Sequence, residues 1–564
     1  MIQINRMKFV FYAWLLIPLY ASCQIKESTA KPGKERPNII VIMADDLGFS
    51  DLGCYGGEIE TPNLDNLAEN GLRFTQFYNT SRCCPSRASL LTGLYPHQAG
   101  IGRMTMDQKL PGYRGTLASH TATIAELLGQ AGYNTAMTGK WHVSNTNSLE
   151  EEKHLKWLAH QEDFGDFADT ATYPTARGFQ KFFGNIWGVV DYFDPFSLVN
   201  GVEPVKTVPE NYYHTIAIGD TAVAYVEEFA KDEKPFFLYI AHCAPHWPLH
   251  ALPEDIRKYE NVYKAGWDEI RNNRYNKMIA LGLFDRQSAP LSPGMFPKKK
   301  WDANPDTAFD ARAMAVHAAM VDRLDQTIGK LVEKLKEVGE WDNTIIMFLS
   351  DNGASSERPS KYGPGFDRAG SLRTGEQVAF PVNKDAMPGP QTVHAGIGPE
   401  WANVANAPFR YWKAKVYEGG IATPLIVHWP KGITNQQGKI AHQPGHIVDI
   451  MATCLDAAGV EYPAAFKGRN LAPLAGKSLI PVFHGKEREG HEAIFWEHFG
   501  AAALRTGDWK IVRLNKNAEW ELYNLAVDRT EINNLAAQYP EKVKAMEALY
   551  EKMALSLDVY PAPN

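Results

Sequence analysis

The chain has 564 residues, of which 45% are hydrophobic and 22% are charged, and its formal net charge is -7 at pH 7. This composition is typical of a globular protein with a large apolar core. The acidic balance excludes a general binder of nucleic acid or anionic membranes, so an anionic ligand would need a local cluster of cationic side chains. The chain contains six cysteines, too few for a disulfide-stapled scaffold of this length.

The N-terminus has the features of an export signal. Two basic residues, Arg6 and Lys8, precede the apolar run FVFYAWLLIPLYASC, which is short and early for a membrane span. We expect a signal peptide over residues 1–23 and a polar tether over 24–36. Cys23 is similar to the lipid-acceptor cysteine of bacterial lipoproteins, and simple signal cleavage nearby is the alternative. The expected location is the periplasm, or the outer membrane as a lipoprotein, of a bacterium.

Four apolar runs further along the chain are typical of strands buried in a parallel sheet: NIIVIMADDLG, YNTAMTGKWH, PFFLYIAHCAPHWP and NTIIMFLSDNG. Amphipathic stretches such as TATIAELLGQAG and MVDRLDQTIGKLVEKLKEVG predict helices between them. This alternation predicts an α/β fold over residues 37–486, with a large, mostly parallel sheet and helices on both faces. The segments AAALRTGDWKIVRL, AEWELYNL and PEKVKAMEALYEKMA predict an antiparallel strand pair and a closing helix. Residues 487–564 are therefore expected to form a small α+β subdomain.

Polar side chains follow the four predicted strands where each one ends: Asp45, Asp46, Lys140, His142, His246, Asp351 and Asn352. In an open α/β sheet the carboxyl ends of the strands form the binding crevice. Three carboxylates and one carboxamide suit a hard cation, calcium or magnesium, better than zinc. Each acidic pair alone is also explained by a turn or a helix N-cap. Two such pairs after apolar strands of one chain favour the metal site.

The segment SRCCPSRASLLTGLYP predicts a helix that stops at Gly93, with Pro85 in its first turn and Cys83 immediately before it. Arg87 would lie one turn in, near the same end. A helix N-terminus stabilises negative charge, so this position predicts an activated thiol. A buried or disulfide-bonded Cys83 is the alternative.

The motif C-x-P-S-R followed by L-L-T-G resembles that of the formylglycine-dependent sulfatases of the alkaline phosphatase superfamily. Flanking segments such as PHQAGIG, PLHALPEDI and EGGIATPL are most similar to the bacterial arylsulfatase branch. In this family the first cysteine of the motif is converted to formylglycine (3-oxoalanine). The proline and arginine follow Cys83 at the required two and four positions, which assigns the modification to Cys83 and makes Cys84 a spectator.

The resemblance also implies a role for each residue at a matching motif position. The expected ligands of a calcium or magnesium ion are Asp45, Asp46, Cys83, Asp351 and Asn352. The expected catalytic residues are Cys83, Arg87, Lys140, His142, His246 and Lys413. Among these, Lys140, His246 and Lys413 are expected to bind substrate, and Arg87 to help hold the sulfate oxygens. Lys413 stands five residues before Glu418, as the family pattern requires, whereas Lys415 does not fit.

The implied activity is hydrolysis of sulfate monoesters, with aryl sulfates as assay substrates and a sulfated carbohydrate as the natural one. The implied partners are a sulfated small molecule or glycan and a formylglycine-generating maturation enzyme. We expect no nucleic-acid partner, and we expect contact with a membrane only through a lipid anchor. One alternative is a phosphodiesterase or phosphonate monoester hydrolase of the same superfamily. Another is a non-catalytic lipoprotein that binds sulfated glycans and keeps Cys83 as a thiol.

Overall fold

The computed structural model describes residues 35–145, 151–295, 299–359, 372, 374–376, 378 and 385–563. The predicted signal peptide, Cys23 and the tether up to residue 34 lie outside the described residues. From Lys34 onward the chain packs as one unit. Among the described ranges, every helix is too short or too polar to span a bilayer.

Within the described residues, eleven strands form one large sheet. They are β1 (Asn38–Ala44), β2 (Leu72–Tyr78), β3 (Asn134–Gly139), β4 (Lys181–Asn185), β5 (Leu198–Asn200), β6 (Glu203–Pro204), β7 (Phe236–Ala241), β8 (Thr344–Ser350), β9 (Ala422–His428), β10 (Lys439–Ala441) and β11 (Gly445–His446). Their order is β10-β2-β9-β8-β1-β7-β3-β4-β5-β6, with β11 also beside β2. The strands from β8 to β4 are parallel, whereas β9 is antiparallel to both of its neighbours.

The four strands predicted from the sequence are β1, β3, β7 and β8, which are adjacent at the centre of the sheet. Strand β1 shows why they were recognisable. Ile40 and Ile42 belong to one buried cluster, and Ile39 and Val41 belong to another on the opposite face. A central strand that is covered on both faces must be apolar throughout, and this gives the continuous run.

Helices cover both faces of the large sheet, as predicted. They are α1 (Pro62–Glu69), α2 (Cys83–Thr92), α3 (Ile124–Gln130), α4 (Glu151–Asp163), α5 (His214–Phe229), α6 (Pro253–Tyr259), α7 (Trp267–Ala280), α8 (Thr307–Glu337), α9 (Gly398–Ala405), α10 (Glu418–Ile421), α11 (Asp449–Ala457), α12 (Ile480–Phe483) and α13 (Pro540–Ser556). Apolar residues of α5 and α8 pack on one face, and those of α2, α3 and α11 pack on the other. Helix α3 starts with a reciprocal capping box between Thr123 and Glu126.

The C-terminal region has its own antiparallel sheet, of strands β14 (Ile494–His498), β15 (Ala501–Thr506), β16 (Trp509–Arg513) and β17 (Glu521–Asn524) in that order. A short pair, β12 (Ala465–Phe466) and β13 (Arg469–Asn470), precedes it. Helix α13 packs on the sheet through Met546 and Tyr550. The predicted antiparallel subdomain is confirmed, with four strands where the sequence indicated a pair. The predicted boundary at residue 487 falls between α12 and β14.

Gly93 ends α2, the helix that carries Cys83 and Arg87, and two features make alanine unfavourable there. Its φ is +66°, and an added Cβ would lie 2.4 Å from Leu474 Cδ1. Gly459 has a similar φ of +63° but no heavy atom within 4 Å of an added Cβ.

We expect Gly459→Ala to lower the free energy of unfolding by about 1–2 kcal/mol, because a left-handed conformation is strained for alanine. Gly93→Ala should cost about 1–3 kcal/mol more, because the new methyl group overpacks the site. Denaturant unfolding of both variants measures the difference. Equal losses would show that close packing behind α2 is not a constraint.

Candidate active site

The carboxyl ends of β1, β3, β7 and β8 meet at one edge of the sheet because these strands are parallel and adjacent. This edge gathers every strand-end residue that the sequence predicted. All of these side chains are buried: Asp45, Asp46, Lys140, His142, His246, Asp351 and Asn352. Helix α2 adds Cys83 and Arg87, and the loop before α10 adds Lys413, which are buried as well. The structure therefore brings all of the predicted catalytic and metal-binding residues together.

A potential cation site lies among these residues. Ligand atoms of Asp45, Asp46, Cys83 and His246 lie within 4.8 Å of one another. Asp45 Oδ1 and Asn352 Oδ1 are buried and make no hydrogen bond to any residue that the structure describes. Unpaired buried oxygens are costly in a folded protein, which indicates that another group completes their coordination. Carboxylate and amide oxygens are the donors that calcium and magnesium prefer, so this donor set fits the predicted ion.

Each carboxylate at this edge is paired with a cationic side chain. Lys140 Nζ bonds to Asp45 Oδ2, and Lys413 Nζ lies 2.8 Å from Asp46 Oδ2. Arg87 Nη2 lies 2.8 Å from Asp351 Oδ2. Burial raises the pKa of Asp45, but the positive charges, Lys140 foremost, outweigh it and hold that pKa well below its usual range. Burial and the charge of Asp45 raise the pKa of Asp351 to about 7.

Arg87 binds two neighbouring groups at this edge of the sheet. Its Nε and Nη2 both donate to Asp351, and its Nη1 donates to the carbonyl oxygen of Lys140 at 2.9 Å. The guanidinium group is completely buried. Arg87 therefore positions Asp351 and the chain at Lys140, and its expected contact with the sulfate oxygens stays a prediction.

Cys83 is the first residue of α2, and Arg82 is the N-cap. The helix therefore begins one residue earlier than predicted, whereas its end at Gly93 is confirmed. Burial raises the pKa of the Cys83 thiol well above its usual value, although Lys140 and Lys413 act in the opposite direction. The expectation of an activated thiol is wrong, because desolvation outweighs the helix N-terminus. Among the described cysteines, five carry free thiols: Cys54, Cys83, Cys84, Cys243 and Cys454.

His142 is held in an unusual conformation beside Cys84. Its φ is 56°, in the left-handed region that non-glycine residues seldom adopt. Its Nε2 lies 3.3 Å from Cys84 Sγ, so Cys84 contacts a predicted site residue. That Cys84 is not the modified cysteine stays a prediction. Burial, with Lys140 and Arg87 adding to it, lowers the pKa of His142 well below its usual value. The imidazole is therefore neutral at physiological pH and available as a base.

His246 and Lys413 form a hydrogen-bonded pair. Lys413 Nζ lies 3.1 Å from His246 Nε2, and His246 Nδ1 lies 2.5 Å from the carbonyl oxygen of Trp247. Since an ammonium group only donates, Nε2 accepts and Nδ1 carries the ring hydrogen. Burial and Lys413 lower the pKa of His246 to about 4. The pKa of Lys413 is raised well above its usual value because Asp46, Cys83 and Glu357 outweigh burial. The proton of this pair therefore resides on the lysine.

Two charged residues at the mouth of the site were not predicted, namely Glu357 and Arg82. Glu357 Oε2 lies 3.5 Å from Lys413 Nζ, and Glu357 Oε1 lies 3.1 Å from Arg82 Nη2. Glu357 belongs to the Gly- and Pro-rich segment before Lys413, whose composition indicated a loop but not which side chain turns towards the site. Arg82 directly precedes Cys83, and this adjacency is the sequence feature that could have identified Arg82 as a site residue.

A carboxylate-rich pocket lined with basic side chains is suited to an enzyme that cleaves an anionic ester with the help of a cation. Comparison with known proteins shows which kind of enzyme this is. The sequence profile of the sulfatase family matches residues 37–460. A second profile, described as N-sulphoglucosamine sulphohydrolase, C-terminal, matches residues 409–557. The chain therefore belongs to the sulfatase family of the alkaline phosphatase superfamily, and it is a sulfuric ester hydrolase.

Individual relatives agree with this assignment over most of the chain. An uncharacterized sulfatase of Schizosaccharomyces pombe is 34% identical and covers 94% of this chain and 95% of its own. An arylsulfatase of Klebsiella aerogenes is 33% identical, with coverage of 81% and 94%. An N-acetylglucosamine-6-O-sulfatase of Bacteroides thetaiotaomicron is 27% identical, with coverage of 95% and 90%. The solved structure of Ps i-CgsB in complex with k-i-k-neocarrahexaose has a TM-score of 0.61 at 25% identity, with coverage of 94% and 98%.

Gly188 provides a test of the role of His142 that leaves the histidine itself in place. A Cβ at residue 188 would lie 2.2 Å from His142 Cε1, so alanine must displace the ring. We expect Gly188→Ala to lower kcat for 4-nitrophenyl sulfate by about 100-fold or more, the usual contribution of a general base.

The matched control is Gly490→Ala, since an added Cβ there meets no heavy atom within 4 Å. It should keep wild-type kcat. A folded Gly188→Ala enzyme with wild-type kcat would show that the position of the His142 ring does not matter for turnover.

Proposed function

We propose that the protein hydrolyses sulfate monoesters with a formylglycine derived from Cys83, at a calcium or magnesium site, and that its natural substrate is a sulfated carbohydrate. One observation carries this proposal. Cys83 Sγ lies within the same 4.8 Å cluster as the carboxylate oxygens of Asp45 and Asp46. The thiol marks where the oxygen-bearing side chain of formylglycine would stand.

The four oxygen-bearing residues Asp45, Asp46, Asp351 and Asn352 would hold the cation together with the modified side chain of residue 83. The cation would supply positive charge next to a hydroxyl group and to the sulfate oxygens, which favours ionised oxygen in both. The hydrated aldehyde would supply one hydroxyl that attacks sulfur and a second whose deprotonation releases the sulfate.

The remaining catalytic steps are assigned to residues that the structure describes. Lys140 and Lys413 both act electrostatically on Cys83 and would place two ammonium groups beside a bound sulfate, where developing negative charge is stabilised. Lys413 donates a hydrogen bond to His246, and the protonated lysine of this pair can deliver its proton to the departing alcohol or phenol oxygen. His142 is neutral and is assigned the deprotonation that releases sulfate.

The proposed substrate class follows from the relatives. One relative is named an N-acetylglucosamine-6-O-sulfatase, and one structural neighbour is a complex with an oligosaccharide. The arylsulfatase relative supports aryl sulfates as assay substrates. A phosphodiesterase or phosphonate monoester hydrolase is the alternative activity. Comparing the turnover of 4-nitrophenyl sulfate with that of aryl phosphodiesters distinguishes the two activities.

Export to the periplasm, or lipidation at Cys23, is proposed from the leader sequence alone. Mass spectrometry of the mature N-terminus tests this proposal.

Modification of Cys83 is the first prediction of this proposal. In protein produced with the maturation enzyme, the peptide containing Cys83 should lose one sulfur and two hydrogens and gain one oxygen. Cys83→Ala should abolish aryl sulfate hydrolysis. Cys84→Ala should still be modified at Cys83, because the motif spacing starts at Cys83. Active protein with an unmodified Cys83 thiol would overturn the mechanism and leave the binding or hydrolytic function to other groups.

Cation binding is the second prediction. Calcium should stabilise the folded protein by about 2.7 kcal/mol at 100 times its Kd, measured as a rise in Tm. Asp45→Asn should abolish this rise, because it removes a negative charge from the donor set. The exposed Asp508 offers a matched control, and Asp508→Asn should keep the full rise. If neither calcium nor magnesium changes the Tm of the wild-type protein, the proposed cation site is wrong.

A further inference from the structure

Glu357 stands at the entrance of the site, on the solvent side of Lys413. Its side chain is 26% exposed, whereas that of Lys413 is 2% exposed. Oε2 accepts hydrogen bonds from Trp247 Nε1 at 2.8 Å and from Ser355 Oγ at 3.2 Å. Oε1 lies 3.1 Å from Arg82 Nη2. The carboxylate is thus fixed by several contacts and still reaches solvent.

Glu357 carries its negative charge throughout the physiological range. Burial raises its pKa, but Lys413, Arg82 and His246 outweigh burial and hold that pKa well below its usual value. Arg82 is less accessible than Glu357, with a side-chain exposure of 16%. A ligand that approaches from solvent therefore meets an anionic group before it meets the buried cations.

The next step rests on the proposed function, which places the departing oxygen of the ester at Lys413 and His246. Glu357 Oε2 is 3.5 Å from Lys413 Nζ, and the Glu357 side chain is the more exposed of the two. The atoms attached to the departing oxygen must leave the buried site on its open side. The carbon that bears the sulfate, and the carbon next to it, are consequently brought close to the Glu357 carboxylate.

We propose that Glu357 forms a specificity subsite for the part of the substrate next to the cleaved sulfate. It accepts a hydrogen bond from a neutral or cationic donor, such as a hydroxyl or an amine, on the neighbouring position. It disfavours a second anionic group there, such as a carboxylate or another sulfate, since like charges in close contact in a partly desolvated site repel strongly. The preferred substrate class is a sulfate ester flanked by hydroxyl or amine groups, and not one flanked by a second acid.

Three aryl sulfates test this subsite: 4-nitrophenyl sulfate, its 2-hydroxymethyl derivative and its 2-carboxy derivative. The measured quantity is the ratio of kcat/KM for the hydroxymethyl substrate to kcat/KM for the carboxy substrate. Comparing this ratio between enzymes cancels the intrinsic reactivity of the two esters. We expect Glu357→Gln to lower the ratio by about 10-fold or more, since a charge–charge repulsion and a charge-assisted hydrogen bond are both removed.

The control is Glu203→Gln, a charge removal at an exposed residue of β6, which should keep the wild-type ratio. A ratio that does not change in Glu357→Gln would overturn the subsite. So would lower turnover of the carboxy substrate in Glu357→Gln, because it would mean that Arg82 captures the second anion. Failure of the wild-type enzyme to hydrolyse 4-nitrophenyl sulfate would instead count against the proposed function, so the two failures are distinguishable.

Discussion

The pairing of buried carboxylates with buried cations at the carboxyl edge of the large sheet is the constraint on which the site depends. Asp45, Asp46 and Asp351 are each in contact with a cationic side chain. A lone charge in such a place costs several kcal/mol, and removal of one partner typically costs 3–5 kcal/mol. These ion pairs therefore fix the relative positions of helix α2, the loop before α10 and the carboxyl ends of β1, β3 and β8.

A second buried network connects this edge to the C-terminal sheet. Lys510 of β16 lies 2.8 Å from Glu418 Oε1 and 2.7 Å from Glu531 Oε1, and all three side chains are buried. The backbone N–H of Glu418 donates to Glu531 Oε2 at 2.8 Å. Glu418 begins α10, five residues after Lys413. The C-terminal sheet is thereby tied to the segment that follows Lys413, and it packs in one unit with the large sheet.

The central strands and the residues that follow them were predictable because a strand covered on both faces leaves a continuous apolar run, and polar residues at its end then stand out. The motif spacing added Cys83, Arg87 and Lys413. Glu357 was not predictable, because its approach to Lys413 depends on how a Gly- and Pro-rich loop folds back. The left-handed conformations of Asp46 and His142 were not predictable either, since neither is glycine. The thiol pKa of Cys83 was predicted in the wrong direction, because helix position is visible in a sequence and desolvation is not.

Asp45 and Asp46 pair with the two lysines and are also the proposed ligands of the cation. This combination has a consequence for substrate binding. Lys140 is bonded to Asp45, and Lys413 is bonded to Asp46. These contacts offset part of the attraction of the two ammonium groups for an incoming sulfate. Engagement of Asp45 and Asp46 with a divalent ion would weaken both bonds and make the lysines available to the anion. Affinity for the sulfate ester should therefore depend on the cation even though Lys140 and Lys413 are not among the cation's expected ligands.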